Sequence, residues 1–480
     1  MVIFALSFLC LQNQEADYFE VIDFVAPEEV VLEVGGLLPL EDALLIATRR
    51  GEIWRVDDAF GSKPIFSLWA EGLQEPLGLL AHEGWIYAMQ RGELSRMRDS
   101  SGDGRMDDLE TVADGWHLSG NYHEYAFGPT LAGDGSLWMT LNKPFGGEPF
   151  GRAPWRGWAL RAQADGSWEG VAAGLRSPAG VRASPWGEVF FTDNQGEWCA
   201  TSKFTAVVEG SFHGHPWGID SCDLPSSRVQ HPGEIPDGGT VNEAAATVPG
   251  YQLPAVWIPW DLLGRSPSDF VWDTDGNFGP YRGQVMVGDQ YSAEVFRVSL
   301  QKVAGRWQGA CYPLRKGLKA GVSRLAWAKD GSLWCGMTTR GWPSLGTATE
   351  GLQRIRWTGK TPFELLEVRA TPQGFQLQFT LPVDSASIVL EDLQVRSWTY
   401  HHWSTYGSDP VDEAAHSVEA LKLSPDGTKL DVTLSDCRPG FVYEISAPGL
   451  IAISGQTLLH DTAWYTLLSI PQEGLKSSRD

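Results

Sequence analysis

Cysteine is scarce in this chain: six in 480 residues, at positions 10, 199, 222, 311, 335 and 437. Their spacing excludes a paired-cysteine zinc site, and no CxxCH run is present to attach a haem. Cys199–Cys222 and Cys311–Cys335 are sites for disulfides or for buried free thiols, and the spacing leaves both open. Basic residues are outnumbered, 37 Lys and Arg against 60 Asp and Glu, for a formal net charge of −23. A surface this acidic repels nucleic acid and anionic lipid. Helical periodicity is nearly lacking. So is any apolar run long enough to span a membrane. Val2–Leu11 is too short for that and reads as the core of a signal peptide, which places the protein in the periplasm or outside the cell.

What the chain has in abundance is Gly (54), Pro (29) and Trp (22). Aromatic and turn-forming residues together favour an all-β architecture. One pattern recurs six times: an apolar strand, a tight turn, a second apolar strand, then polar residues. The copies span 43–56, 78–97, 127–143, 180–195, 269–290 and 323–341. At about 50 residues each they fit four-stranded propeller blades. Asp134-Gly135 and Asp330-Gly331 supply hairpin turns. Tyr18–Leu32 is extended and apolar and suits the strand that closes the ring. After Gly359 the pattern gives way to alternating strands such as GFQLQFTLPV and KLDVTLSD. The expected fold is a six-bladed β-propeller over 17–359 and an immunoglobulin-like β-sandwich over 360–470. A signal peptide (1–16) precedes them and a loose tail (471–480) follows.

In a blade the second strand ends near the central channel, on one face. The residues at that place are Arg49 and Arg50, Gln90 and Arg91, Asn142 and Lys143, Asn194 and Gln195, Asp289 and Gln290, and Thr339 and Arg340. Singly, each is an ordinary polar turn residue. Six together describe a mouth suited to an anionic or polyhydroxylated ligand. His123, in GNYHEY, falls on the same face as a candidate general base, with Glu124 to orient it. His213 and His215 lie two apart, but without a third ligand they read as part of a structural loop. DSSGDGRMDDLE (99–110) follows the spacing of a calcium loop. Asp99, Ser101, Asp103, Asp107 and Glu110 are its oxygen donors and Gly104 its turn.

These motifs together resemble the glucose/sorbosone dehydrogenase-like propellers, in the large branch found in environmental bacteria such as planctomycetes and Bacteroidetes. The resemblance rests on RRGEIWRVD (49–57), RGELSRMRDSSGDGRMDD (91–108), SGNYHEYAFG (119–128), TDNQGEW (192–198) and GSFHGHP (210–216). It continues through VGDQYSAEVFRV (287–298), TTRGW (338–342), HHWSTYGSD (401–409) and HDTAWYTLLSIP (460–471). It implies sugar oxidation with pyrroloquinoline quinone and Ca²⁺, with His123 as base. Gln90, Arg91, Asn194, Gln195, Asp289, Gln290 and Arg340 are the implied quinone contacts. GSFHGHP replaces the loop that the sugar dehydrogenases carry there. With no CxxCH in the chain, electrons would leave to a separate cytochrome c. Two other readings stand beside this one. The first is a non-catalytic propeller that binds a glycan or a protein. The second is a polysaccharide hydrolase or lyase drawing on Glu124, Asp193 and Asp289.

Overall fold

A computed structural model describes residues 14–146 and 153–472. Cys10 and nearly all of the expected leader and tail lie outside them. Six sheets follow one another along the chain. Their first strands are Val34–Pro39, Leu79–His82, Ala126–Leu131, Pro178–Ala183, Pro267–Trp272 and Val322–Trp327. Each first strand touches the first strands of the sheets on either side, so the six close into a ring. The sixth sheet takes its outer strand, Phe19–Phe24, from the start of the described chain. That strand runs antiparallel to Glu350–Trp357, with Phe19 opposite Trp357 and Phe24 opposite Leu352. This is the closure expected of Tyr18–Leu32, confined to its first half.

The hairpins turn on a repeated Asp-Gly-Ser. Asp134, Asp165 and Asp330 each accept the amide of the serine two residues on, at 3.0–3.1 Å. The glycine between sits at φ +85°, +85° and +79°, where a side chain would be strained. At the centre of the ring, the buried Arg324 guanidinium donates to the carbonyls of Gly35, Ala179 and Leu77. One side chain of the sixth sheet thus ties the edges of three others.

The C-terminal residues form two packed layers. Leu365–Thr371, Gly374–Phe379, Lys429–Leu434 and Val418–Leu423 make one sheet. Thr462–Leu467, Phe441–Ser446, Gln394–Thr399 and Val411–His416 make the other. Phe375, Leu377, Val432, Tyr443 and Tyr465 fill the space between. The second layer is not a separate sheet. Its strand Thr462–Leu467 pairs with Arg306–Arg315, the outer strand of the fifth ring sheet, through Gly309, Ala310 and Cys311. Eight strands therefore run continuously from the ring into the C-terminal layer. All five described cysteines are free thiols.

Charge reinforces this junction. Arg297, fully buried, donates to Gln284 Oε1 and Leu366 O, both at 3.0 Å, and pairs with Glu364 at 3.3 Å. His460 lies between Glu364 (2.7 Å) and Glu15 (3.1 Å). Glu15 is itself buried, so the folded body takes in a residue placed in the expected 1–16 leader. Burial alone would lower the His460 pKa. Glu364 and Glu15 outweigh it and raise it to about 9. The folded state thus holds this proton more tightly than the unfolded chain does. The resulting stabilisation is complete below about pH 6.5 and is lost as pH rises through about 9. Thermal melts from pH 6 to 10 are expected to show this decline, and His460→Gln is expected to flatten it. A wild-type melting temperature unchanged from pH 7 to 9.5 would contradict the assignment.

Candidate functional site

A cleft opens where the second strands of the ring end. It holds about 740 Å³ between its walls, solvent at its mouth included. Two tripeptides build much of it: Arg176-Ser177-Pro178 and Arg265-Ser266-Pro267, each leading into a first strand. The proline starts the strand without needing a donor. The two preceding amides are caught by a buried aspartate at the end of the second strand. Asp193 accepts from Arg176 N–H at 3.1 Å and Ser177 N–H at 2.6 Å. Asp289 accepts from Arg265 N–H at 2.8 Å and Ser266 N–H at 2.7 Å. Both carboxylates are wholly buried, and Lys203 Nζ stands 3.5 Å from Asp193. Fixing the backbone this way puts Arg176, Ser177, Arg265 and Ser266 on the cleft wall.

Arg176 is held on several sides. Its guanidinium lies between two rings, 5.1 Å from Phe145 and 4.9 Å from Tyr406. Nε donates to Glu197 at 2.9 Å and Nη1 to Ser177 Oγ at 3.2 Å. Nη2 is buried and, among the described residues, makes no hydrogen bond. A Cβ at Gly196 would stand 1.7 Å from Nε, so TDNQGEW needs glycine there to admit the guanidinium. Burial pushes the Glu197 carboxyl up, but Arg176 and Lys143 outweigh it and hold it below the usual carboxylate range. The carboxylates Glu75, Glu197 and Glu33 pair with Arg49, Arg176 and Arg340 of the site. Among the described residues, none that lines the cleft is acidic. Asn142 Oδ1 and Asn194 Oδ1 are also buried without partners among those residues.

His123 lines the same cleft. Its Nδ1 lies 2.8 Å from Lys143 O, which can only accept, so the proton sits on Nδ1. Nε2 keeps its lone pair and faces Ser177 Oγ at 3.2 Å. Phe145 stands edge-on over the ring, 4.1 Å between centroids. Burial, with Arg176 and Lys143 nearby, lowers the His123 pKa to about 3, so the ring is neutral throughout the physiological range. Glu124 does not orient it. That carboxylate knots its own loop, accepting from the amides of Ser119, Gly120 and Asn121.

Of the expected ligand contacts, His123, Asn194, Gln195, Gln290 and Arg340 line the cleft. Gln90, Arg91 and Asp289 do not. Gln90 spends its amide on Gln74 N–H and Ser95. Arg91 is taken by Glu75 and by the carbonyls of Asn121 and Tyr122. Asp289 is committed to backbone amides. Sequence reasoning overlooked Arg176, Ser177, Arg265 and Arg324, although the repeated Arg-Ser-Pro was visible. It also overlooked Tyr406, which comes from the C-terminal region.

In the expected calcium loop, the carboxylates are engaged by the loop's own amides and by Arg96. Asp99 accepts from the amides of Gly102 (2.6 Å) and Gly104 (2.8 Å). Asp107 accepts from Ser101 (2.7 Å) and Ser100 (2.9 Å), which hold its carboxyl below the usual range. Asp103 bonds the Arg105 amide at 2.9 Å. Glu110 sits on the strand Asp108–Asp114 directly opposite Arg96 and pairs with it at 2.6 Å. The carboxylates thus help to close the hairpin. Among the described residues, no three His, Cys, Asp or Glu side chains gather as metal ligands. His213 and His215 are buried, and burial holds both well below the ordinary histidine pKa.

Residues 57–213 match a family model described as Domain of unknown function (DUF7133). A search of curated proteins finds no match. Among solved structures, the chain is similar to a putative oxidoreductase (glucose dehydrogenase) from Thermus thermophilus. That likeness has TM-score 0.51 and 21% identity, over 70% of this chain and 99% of that one. It is also similar to the PQQ-bound aldose sugar dehydrogenase of Streptomyces coelicolor, at TM-score 0.50 and 16% identity, over 70% of this chain and 98% of that one. The fold is that of the glucose/sorbosone dehydrogenase-like propellers. In each match, 30% of this chain falls outside the shared body.

Two outcomes are expected of the purified protein. Gly196→Ala must displace Arg176 or its own backbone, and urea melts should show a loss of about 1–3 kcal/mol. EDTA should leave the melting temperature within about 1 °C, because a stabilising ion would shift it on removal. The buried neutral rings of His123, His213 and His215 bind protons more readily once unfolded. Their contribution is full above about pH 6.5 and falls as pH drops below it.

Proposed function

We propose that this chain is an exported six-bladed propeller (to residue 359, with Glu15 inside the folded body) with an immunoglobulin-like partner domain (360–470), and that it oxidises a sugar with pyrroloquinoline quinone. The observation that carries the reading is the cleft itself. It is rich in arginine, free of lining carboxylates among the described residues, holds an unpartnered buried guanidinium nitrogen, and sets a neutral histidine beside it. A planar tricarboxylate fits those donors. Arg176, Arg265 and Arg340 would face its carboxylates, and the amides of Asn142, Asn194 and Gln290 its ring oxygens and nitrogen. Phe145, Trp342 and Tyr125 offer flat apolar surface to the rings.

When bound, the quinone supplies the two-electron acceptor for a hydride from the sugar C–H. The protein's part is to take the hydroxyl proton. Ser177 Oγ donates to His123 Nε2, so a sugar hydroxyl at Ser177 can pass its proton to Oγ as the serine proton moves to Nε2. The Lys143 carbonyl on Nδ1 favours the charge the ring then takes up, against the burial and the Arg176 and Lys143 charges that keep it neutral at rest. Arg176 Nη1, already on Ser177 Oγ, favours the partly charged oxygen during the transfer. Electrons leave to a separate acceptor. Export is supported by the apolar run Val2–Leu11.

Adding quinone to the full-length protein should shift its absorbance. A sugar panel with a dye acceptor should then show turnover. Arg176→Met is expected to weaken quinone binding at least about tenfold, or about 1.4 kcal/mol. His123→Gln should leave binding intact and lower kcat by about 10²–10⁴-fold. Neither binding nor turnover in the wild type would end this reading.

A further inference from the structure

The cleft is not made by the ring alone. Residues 401–409 leave the C-terminal layer and lie along the 194–200 segment of the ring. Trp198 N–H donates to Trp403 O at 2.8 Å, Gly407 N–H to Gly196 O at 3.1 Å, and Ser408 N–H to Ala200 O at 2.8 Å. Gly238 N–H donates to His402 O at 2.8 Å, and Ser404 N–H to Asp237 Oδ1 at 2.7 Å. The His402 ring fits between the carbonyls of Pro236 and Gly214, at 3.1 and 3.2 Å. Gly407, at φ +68°, passes so close to Gln195 that a Cβ would stand 2.7 Å from its amide. The segment is therefore pinned by its backbone at several points. It carries one side chain to the cleft: Tyr406, half exposed, its ring on the Arg176 guanidinium.

We infer that Tyr406 is a ligand-recognition residue contributed by the C-terminal domain, which with Arg176 receives a planar polycarboxylate. The inference rests on the proposed use of the cleft for such a ligand and adds a domain to the binding site. Phe145 and Tyr406 flank the guanidinium and leave Nη2 as the nitrogen without a partner among the described residues. The ring of Tyr406 then serves twice, holding the cation in place and presenting an apolar face beside the bound carboxylate. Because the loop is fixed by main-chain bonds, the side chain can be changed without freeing the loop.

The test is equilibrium binding to the full-length protein, followed by calorimetry, with two probes: pyrroloquinoline quinone and benzene-1,3,5-tricarboxylate. Tyr406→Ala is expected to bind the quinone about tenfold more weakly than wild type. Tyr406→Phe, which keeps the ring, should stay within about threefold. Tyr406→Leu keeps bulk without the aromatic face and should follow Ala; it also serves if the alanine variant proves unstable. Melting temperatures report folding separately. If wild type and Tyr406→Ala bind the quinone equally, the inference fails and the proposed cofactor stands. If wild type takes only the tricarboxylate, and Tyr406→Ala weakens it, the cofactor fails and the recognition role stands. Binding of neither probe overturns both.

Discussion

Two buried carboxylates set the geometry on which the site depends. Asp193 and Asp289 are wholly enclosed, and an anion so placed is tolerable only when strong donors meet it. The donors available are the paired amides just ahead of the next first strand. Satisfying the anion and bending the chain are therefore one event. The same bend turns Arg-Ser toward the channel in two consecutive sheets. Loss of either carboxylate would free two amides at once and release the backbone that carries Arg176 or Arg265.

The arginines of the cleft show how a chain with a large negative net charge builds a cationic site. Glu75, Glu197 and Glu33 pair with the guanidinium groups of Arg49, Arg176 and Arg340 and balance them without lining the cavity. The pairing keeps each of these arginines in place, while the lining, among the described residues, carries no carboxylate. Arg324 does the same for the ring, answering burial with backbone carbonyls from three sheets. Overall charge is a poor guide to local charge for this reason.

Much of this is legible in the sequence, and the misses have physical causes. Six copies of a strand pair announce the ring, and the ends of the second strands do surround a cleft. The pattern fails where a position carries two polar residues. Asp289 turns inward to hold backbone and Gln290 lines the cavity; Gln90 and Arg91 are both consumed by neighbours. Nothing local distinguishes those cases, because the partners arrive from other loops. The calcium spacing of 99–110 reflects donor types alone, whereas strand pairing aims Glu110 at Arg96. Arg-Ser-Pro occurs twice and is a signal that sequence reasoning left unused. Tyr406 has no such signal, since its place on Arg176 depends on how a distant domain docks.

The strand Arg306–Arg315 belongs to the ring by its inner edge and to the C-terminal layer by its outer one. Sequence patterning puts a border near Gly359; hydrogen bonding puts none there. A ring cut loose at that point would bare the outer edge of Arg306–Arg315 at Gly309, Ala310 and Cys311, an open edge of the kind that recruits other strands. The two parts are thus poor candidates for independent shuffling between genes. The cleft depends on both parts, since Tyr406 reaches it from one and Arg176 from the other.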